Sequence, residues 1–323
     1  MTTQQDLDDT TGETRFDTFT VYRTFYKQIG DHQIEVGILI PKSIKPGKHP
    51  LLVKFHGGGL ITGTALFPDW FAAFFVPFIH RTSSIVVLPN YRLIPEHRGK
   101  DILEDLADFW RWVDGDGLIN FLKEREPGIE IERDRLCVSG DSAGGFMALQ
   151  SAITLPEGRI RAVLAQYPMT NVLRRKPTDR YGDGPAPGPE IIDEHVAAIK
   201  PGSVVSSATP PARQSLSYAL AAYGRWEEFF GTAKNLLPIR ALEDVKSFPP
   251  TFIVHAEQDT AVAVEDTKGF VLKLIDLFGR EFVRQRVMLV CPDGDHGFDM
   301  ALKEKDTPWL RDGLAWVEEW WLG

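Results

Sequence analysis

The chain has 323 residues, of which 43% are hydrophobic and 25% are charged, and these ordinary values exclude a repeat array or a long disordered chain. Its formal net charge of −9 is spread along the sequence without a basic stripe, which argues against a nucleic-acid partner and favours a small neutral molecule. The longest apolar stretch, residues 70–79, is far shorter than the roughly 20 residues of a membrane-spanning helix, so no membrane span is predicted.

The N-terminus and the cysteines indicate a cellular compartment. Residues 1–13 are acidic and lack both a basic start and an apolar stretch, so they do not resemble a secretory signal, and a cytoplasmic location is predicted. Cys137 and Cys291 lie in apolar runs with strand character. They are predicted to be buried thiols rather than a disulfide.

Runs of strand length recur along the chain. Residues 34–40 alternate as in a half-buried strand before a turn at residues 41–50, and the first two strands are predicted to be antiparallel. The later runs are continuous, which is typical of strands covered on both faces. These runs are residues 51–55, 84–88, 135–139, 160–166, 251–255 and 287–290.

Helical periodicity lies between and after these strands, for example in residues 103–113 and 310–321. The alternation predicts an α/β fold with a mostly parallel, doubly wound sheet, whose active residues gather at the C-terminal strand ends. Residues 170–248 interrupt the alternation, include a Gly- and Pro-rich segment at 181–189, and are interpreted as an insertion. Its later part, residues 215–237, has helical spacing and is predicted to cover a pocket.

A candidate nucleophile stands between a strand and a helix, in Gly140-Asp141-Ser142-Ala143-Gly144. This pattern predicts a sharp elbow in which small neighbours let the backbone turn and expose the Ser142 hydroxyl above the sheet edge. A serine hydroxyl needs a base to take its proton. His296 is the predicted base because it follows the strand at 287–290, whereas His255, His80, His97 and His195 are assigned structural roles.

Asp259 is the predicted acid that orients His296. It follows the strand at 251–255 and gives the chain order Ser, Asp, His, which this arrangement uses. The competing carboxylates are Glu257, Asp266 and Asp295, of which Asp295 is adjacent to the histidine and cannot reach it from a neighbouring strand end.

A glycine-rich loop, His56-Gly57-Gly58-Gly59, follows the strand at 51–55. Glycines leave backbone N–H groups uncovered, as an oxyanion hole requires when a carbonyl oxygen gains negative charge. Such a loop alone also fits a plain turn. Its position before the elbow favours the catalytic interpretation.

Together these motifs resemble the hormone-sensitive-lipase-like family of α/β hydrolases. The likeness extends to Tyr91-Arg92-Leu93-Ile94-Pro95-Glu96, Tyr167-Pro168 and Pro249-Pro250, and it runs from about Phe16 to the C-terminus. The resemblance implies a single α/β-hydrolase domain over residues 1–323, with a mostly parallel eight-stranded sheet. A helical cap would come from residues 170–248. The N-terminal segment 1–15, which is shorter than in many members, is a second candidate contributor to the cap.

The resemblance also implies roles for individual residues. Ser142, Asp259 and His296 would form the triad, and the N–H groups of Gly58, Gly59 and Ala143 would form the oxyanion hole. His56 would brace the loop, and Glu96 and Asp141 would support the site.

The predicted function is a serine carboxylesterase that hydrolyses short to medium acyl esters of small molecules through an acyl-enzyme, without a metal or organic cofactor. The alternatives are a carboxylesterase-like lyase and a non-catalytic receptor of the same fold, although the retention of Ser142 and His296 counts against the receptor. The aromatic residues at 67–75 are predicted to pack in the core rather than line a pocket. Trp316, Trp320 and Trp321 are consistent either with a homodimer contact or with burial in the monomer.

Overall fold

The computed structural model describes residues 3–172, 175–181 and 184–323. Residues 1–2, 173–174 and 182–183, which belong to the predicted N-terminal segment and insertion, lie outside the described residues.

Ten strands are formed by the described residues. They are β1 (Phe19–Ile29), β2 (His32–Pro41), β3 (Gly47–Phe55), β4 (Ile85–Pro89), β5 (Ile129–Asp141), β6 (Ala162–Gln166), β7 (Arg180–Tyr181), β8 (Gly184–Pro185), β9 (Thr251–Val254) and β10 (Val287–Val290).

The helices alternate with the strands. They are α1 (Gln4–Asp8), α2 (Phe75–Thr82), α3 (Gly99–Asp114), α4 (Gly117–Arg125), α5 (Ala143–Thr154), α6 (Glu190–Ala198), α7 (Gln214–Ala222), α8 (Trp226–Phe230), α9 (Pro238–Ala241), α10 (Val264–Phe278), α11 (Arg280–Arg286) and α12 (Pro308–Leu322). None of the helices within the described ranges is both long enough and apolar enough to cross a membrane.

Eight strands form one sheet in the order β1-β2-β4-β3-β5-β6-β9-β10. β2 is antiparallel to both of its neighbours, and the other pairs are parallel, as the sequence predicts. The C-terminal ends of β3, β5, β9 and β10 therefore meet at one edge of the sheet.

The sheet is covered on both faces, which explains its continuous apolar strands. Two hydrophobic clusters cover the two faces. Val53 of β3 packs in the first cluster, with α3 and α5, and its neighbour Leu52 packs in the second cluster, with α2 and α12. Cys137 is buried on β5, as predicted. Cys291 lies just after the edge strand β10 and is only partly buried, because nothing pairs beyond that edge among the described strands.

Aromatic side chains fill much of the second cluster. Phe71, Phe74 and Phe75 are buried there, in agreement with their predicted core role. The prediction is wrong for Trp70, which is only partly buried and lines a cavity, because it lies in the short turn Pro68–Trp70 rather than in α2. Trp321 is fully buried, and its Nε1 donates a hydrogen bond to the Arg135 carbonyl at 2.9 Å. Burial within the monomer therefore accounts for this tryptophan.

The insertion is helical, with α6, α7, α8 and α9 between residues 170 and 248. The sequence predicts no strand there, but β7 and β8 form a two-residue antiparallel pair. So short a pair leaves no periodic pattern in the sequence. At the other end of the chain, α1 contacts α2, and Gly12 lies against the carboxylate of Asp69.

Candidate functional site

Ser142 occupies a strained turn between β5 and α5. Its φ of 55° and ψ of −115° lie in a region that non-glycine residues rarely adopt. The turn depends on close backbone approach, because a Cβ atom on Gly144 would stand 2.2 Å from the Phe55 carbonyl oxygen. The predicted elbow is present, and it places Ser142 on the wall of a cavity.

His296 and Asp259 are hydrogen-bonded across the same sheet edge. The distance from His296 Nδ1 to Asp259 Oδ2 is 2.8 Å, and the carboxylate has no solvent exposure. Asp259 Oδ1 accepts the N–H groups of Ala261 and Val262, both at 2.8 Å, which fixes the orientation of the carboxylate. The Asp259 side chain is therefore rigid and already joined to the predicted base.

The charge of Asp259 is maintained in spite of its burial. Desolvation acts to raise the pKa of Asp259, but hydrogen bonds from His255 and His296 and the nearby imidazole lower it well below its ordinary value. His255 is a partner that sequence reasoning missed, since it was assigned only a packing role. Its Nε2 lies 3.3 Å from Asp259 Oδ2, and its four-residue spacing from Asp259 was the available signal.

The competing carboxylates have other contacts. Glu257 forms an exposed ion pair with Lys268 at 2.8 Å. Asp266 is near Asn171, at 3.3 Å. Asp295 accepts the N–H groups of Thr260 and His296, both at 2.7 Å, and so orders the loop that carries the histidine.

The other histidines also have structural partners. His80 contacts Thr18, His97 accepts the Val205 N–H, and His195 contacts Glu96.

The glycine loop presents backbone donors to the cavity. Gly58 and Gly59 have φ angles of 108° and 65°, and both line the cavity with Ser142 and His296. Among the described residues, the N–H groups of Gly58, Gly59 and Ala143 donate no hydrogen bond to a backbone carbonyl in a turn, loop or helix cap. Ala143 is also the first residue of α5, where the helix dipole favours negative charge.

His56 holds this loop in place. Its ring stacks on Tyr91 at a centroid distance of 4.4 Å, and its Nδ1 donates to the Gly57 carbonyl at 2.8 Å. Burial lowers the pKa of His56 to about 4, so the ring is neutral near neutral pH and makes no charge contribution to the cavity.

Asp299 is a buried residue that sequence reasoning missed, and Tyr167 connects its carboxyl group to His296. The Tyr167 ring lies 4.6 Å from the His296 ring, and the Tyr167 hydroxyl donates to Asp299 Oδ1 at 2.9 Å. Gln166 Nε2 donates to Asp299 Oδ2 at 2.5 Å. Burial raises the pKa of Asp299 in spite of these hydrogen bonds. The position of Asp299 three residues after His296 was the available signal.

The cavity has a volume of about 750 Å³, within the ordinary range for small-molecule sites. The Ser142 hydroxyl has no hydrogen-bond partner among the described side chains, and such catalytic contacts are often formed only with substrate. Several polar side chains also line the cavity, namely Asp69, Arg175, Tyr181, Gln214, Ser217 and Tyr218.

The fold and this constellation define an α/β hydrolase. A family model described as alpha/beta hydrolase fold matches residues 52–268, and the chain belongs to this family. The resemblance to hormone-sensitive-lipase-like hydrolases is thereby confirmed.

Individual relatives agree with this placement. The chain is 27% identical over 331 residues to a probable carboxylesterase of Phoma sp., a match that covers 97% of this chain and 100% of the relative. It is 28% identical over 195 residues to a probable carboxylesterase of Cochliobolus lunatus, covering 56% and 87% of the two chains. A solved fungal esterase of Rhizomucor miehei has a similar fold, with a TM-score of 0.62, 22% identity, and coverage of 94% of this chain and 83% of that chain.

Proposed function

We propose that the protein is a serine carboxylesterase in which Ser142 is the nucleophile, His296 the base and Asp259 the residue that orients the base. The protein is a carboxylic ester hydrolase of small molecules. The observation that carries the proposal is the 2.8 Å hydrogen bond between His296 and the buried Asp259, at a cavity shared with the strained Ser142.

The reaction begins when Ser142 Oγ attacks the ester carbonyl carbon while His296 Nε2 takes the hydroxyl proton. The carbonyl oxygen becomes an anion and accepts hydrogen bonds from the N–H groups of Gly58, Gly59 and Ala143. The bond to the alcohol oxygen then breaks, and the alcohol leaves with the proton from His296. Water repeats the sequence on the acyl-enzyme, which releases the acid and restores Ser142.

The insertion, residues 170–248, acts as a cap within a single domain of residues 1–323. It contributes Gln214, Ser217 and Tyr218 to the cavity wall. This wall limits the length of the acyl group, so the enzyme prefers short to medium acyl esters. The contact of Gly12 with Asp69, another wall residue, is consistent with a contribution of the N-terminal segment 1–15 to this enclosure.

A cytoplasmic location and a homodimer complete the proposal. The two free thiols, Cys137 and Cys291, fit a reducing compartment. Val21 and Phe25 are exposed on the edge strand β1, where a second chain could cover them. Imaging of a fluorescent fusion and sedimentation velocity of the purified protein test these two assignments.

The test of the function uses an alkyl fluorophosphonate and p-nitrophenyl acetate. We expect the fluorophosphonate to modify Ser142 covalently and to stop ester turnover with one equivalent bound, because only an activated serine reacts in this way. Ser142→Ala should remain unlabelled, and His296→Ala should label far more slowly. A protein that turns over no ester, yet eliminates a leaving group from a bound molecule or merely binds it, would instead be a lyase or a receptor.

A further inference from the structure

Lys54 is a buried cation beside the nucleophile that the proposed reaction does not use. It lies on β3 with 3% of its surface exposed, and its Nζ donates to Asp141 Oδ1 at 2.5 Å. The ammonium also lies 5.6 and 5.5 Å from the ring centres of Phe71 and Phe75. A buried ammonium loses most of its hydration, so a lysine at the next-to-last position of a buried strand needs a reason.

Its partner Asp141 is packed against the oxyanion loop. The residue is the last of β5, directly before Ser142, and it is 3% exposed. A Cβ atom on Gly57 would stand 2.4 Å from Asp141 Oδ2. The carboxylate is therefore within contact distance of the loop that provides the oxyanion donors.

Negative charge is concentrated in this part of the molecule. The side chains of Asp259 and Asp299 are also buried, and both lie close to His296. The reaction places one more negative charge on the substrate oxygen. In a poorly solvated site, an unbalanced carboxylate beside the loop would oppose that charge.

We propose that Lys54 is a positioning residue for ester hydrolysis, which neutralises Asp141 so that the oxyanion forms without an opposing charge. The inference rests on the proposed esterase function. In this proposal Lys54 does not contact the substrate, because its ammonium acts on the glycine loop only through Asp141.

The sign of the charge that each substitution leaves unpaired distinguishes this role from a purely structural one. Lys54→Met leaves an unpaired carboxylate beside the oxyanion, whereas Asp141→Asn leaves an unpaired ammonium there. Both changes break the same buried pair. We expect kcat for p-nitrophenyl acetate to fall about a hundredfold in Lys54→Met, comparable to the loss of an oxyanion donor, and about tenfold or less in Asp141→Asn. KM should change little in either variant.

The double variant Lys54→Met/Asp141→Asn provides the second measurement and carries no unpaired charge. Its kcat should return to within about tenfold of the parent, because neutrality rather than the ammonium is what the reaction needs. This variant also keeps the proposal testable if Lys54→Met does not fold. A double variant with a loss of a hundredfold would overturn the proposal, as would equal losses in the two single variants.

Lys27→Met is the matched control. Lys27 forms ion pairs with Asp105 and Asp108 at 2.8 and 2.6 Å, and neither acid belongs to the cavity. The control should lower the midpoint of thermal unfolding while kcat stays within about twofold. If the parent enzyme turns over no ester, the proposed function fails. If the parent is active and Lys54→Met retains its kcat, only this inference fails.

Discussion

The sheet edge and the insertion hold their functional residues in different ways. At the sheet edge, Ser142 directly follows β5, and Asp259 and His296 lie in the loops that follow β9 and β10. Backbone contacts orient these groups. Asp259 shows this, since two N–H groups hold one carboxylate oxygen while His296 binds the other.

The insertion is attached instead by hydrogen bonds, ion pairs and packed side chains to the body beneath it. Trp226 Nε1 donates to the Gly59 carbonyl at 3.1 Å, and the Phe230 ring packs on Phe146 of α5 at 5.8 Å. Glu96 joins the insertion to the body through Arg213 at 2.5 Å and His195 at 2.9 Å. Under the proposed function, this difference assigns the chemistry to the sheet edge and the selection of substrate to the insertion that covers it.

The largest effect should come from the sheet edge. Ser142→Ala should lower kcat by roughly a millionfold, as loss of the nucleophile does in other triads, because no other group attacks the ester. Ser139→Ala is the matched control on the same strand, since its buried hydroxyl has no hydrogen-bond partner among the described residues. Steady-state turnover of p-nitrophenyl acetate measures both. Residual activity within tenfold of the parent in Ser142→Ala would move the nucleophile elsewhere.

Asp259→Asn should produce the next largest loss, about ten-thousandfold in kcat, because an amide no longer stabilises the imidazolium or selects its correct tautomer. Glu257→Gln changes a competing acid that forms only an exposed ion pair, and it should leave kcat within about twofold. The same assay compares them. If Glu257→Gln were the more damaging change, the assignment of the acid would be wrong.

The insertion should control acyl-chain length with a smaller effect. Because the insertion forms part of the wall of a cavity of about 750 Å³, kcat/KM for p-nitrophenyl esters should be greatest for short to medium acyl groups. We expect a fall of about a hundredfold for palmitate, the summed effect of methylenes that find no space. A series from acetate to palmitate measures the profile, and a maximum at palmitate would show that the cover does not limit the pocket.

The smallest effect should follow Glu96→Gln, which weakens an attachment of the insertion. KM should rise about threefold with kcat nearly unchanged, since binding rather than chemistry is disturbed. Burial acts to raise the pKa of Glu96, but Arg213 and His195 lower it below its ordinary value.

A carboxyl group with a lowered folded-state pKa contributes stability above its unfolded-state pKa and loses that contribution as the pH falls. The difference in unfolding midpoint between the parent and Glu96→Gln should therefore be greatest near neutral pH and shrink in acid. Glu243→Gln, which changes an exposed ion pair, is the control and should show almost no difference. A difference that grew in acid would contradict the role given to Glu96.

The sequence predicted the sheet well, because buried parallel strands leave continuous apolar runs. Ser142, Asp259 and His296 all lie after such strands, and their catalytic roles stay predictions. β10 has the predicted bounds, residues 287–290. The sequence could not reveal Lys54 beside Asp141, which depends on side chains 87 positions apart meeting across two strands.

Asp299 behind Tyr167 was hidden for the same reason, since the two are 132 positions apart in the chain. Within the insertion, the helical spacing of residues 215–237 indicated α7 and α8. The pattern did not resolve α6 or the pair β7–β8, which has only two residues per strand.

The formation of an acyl-enzyme at Ser142 is the central claim, and rapid acid quenching tests it most directly. The parent enzyme is mixed with p-nitrophenyl acetate, quenched during turnover, digested and analysed by mass spectrometry. We predict an acetyl group on the peptide that contains Ser142, in a fraction set by the ratio of acylation to deacylation rates, and none there in Ser142→Ala. Ester turnover at the parental rate with acetyl on a different residue would contradict the account.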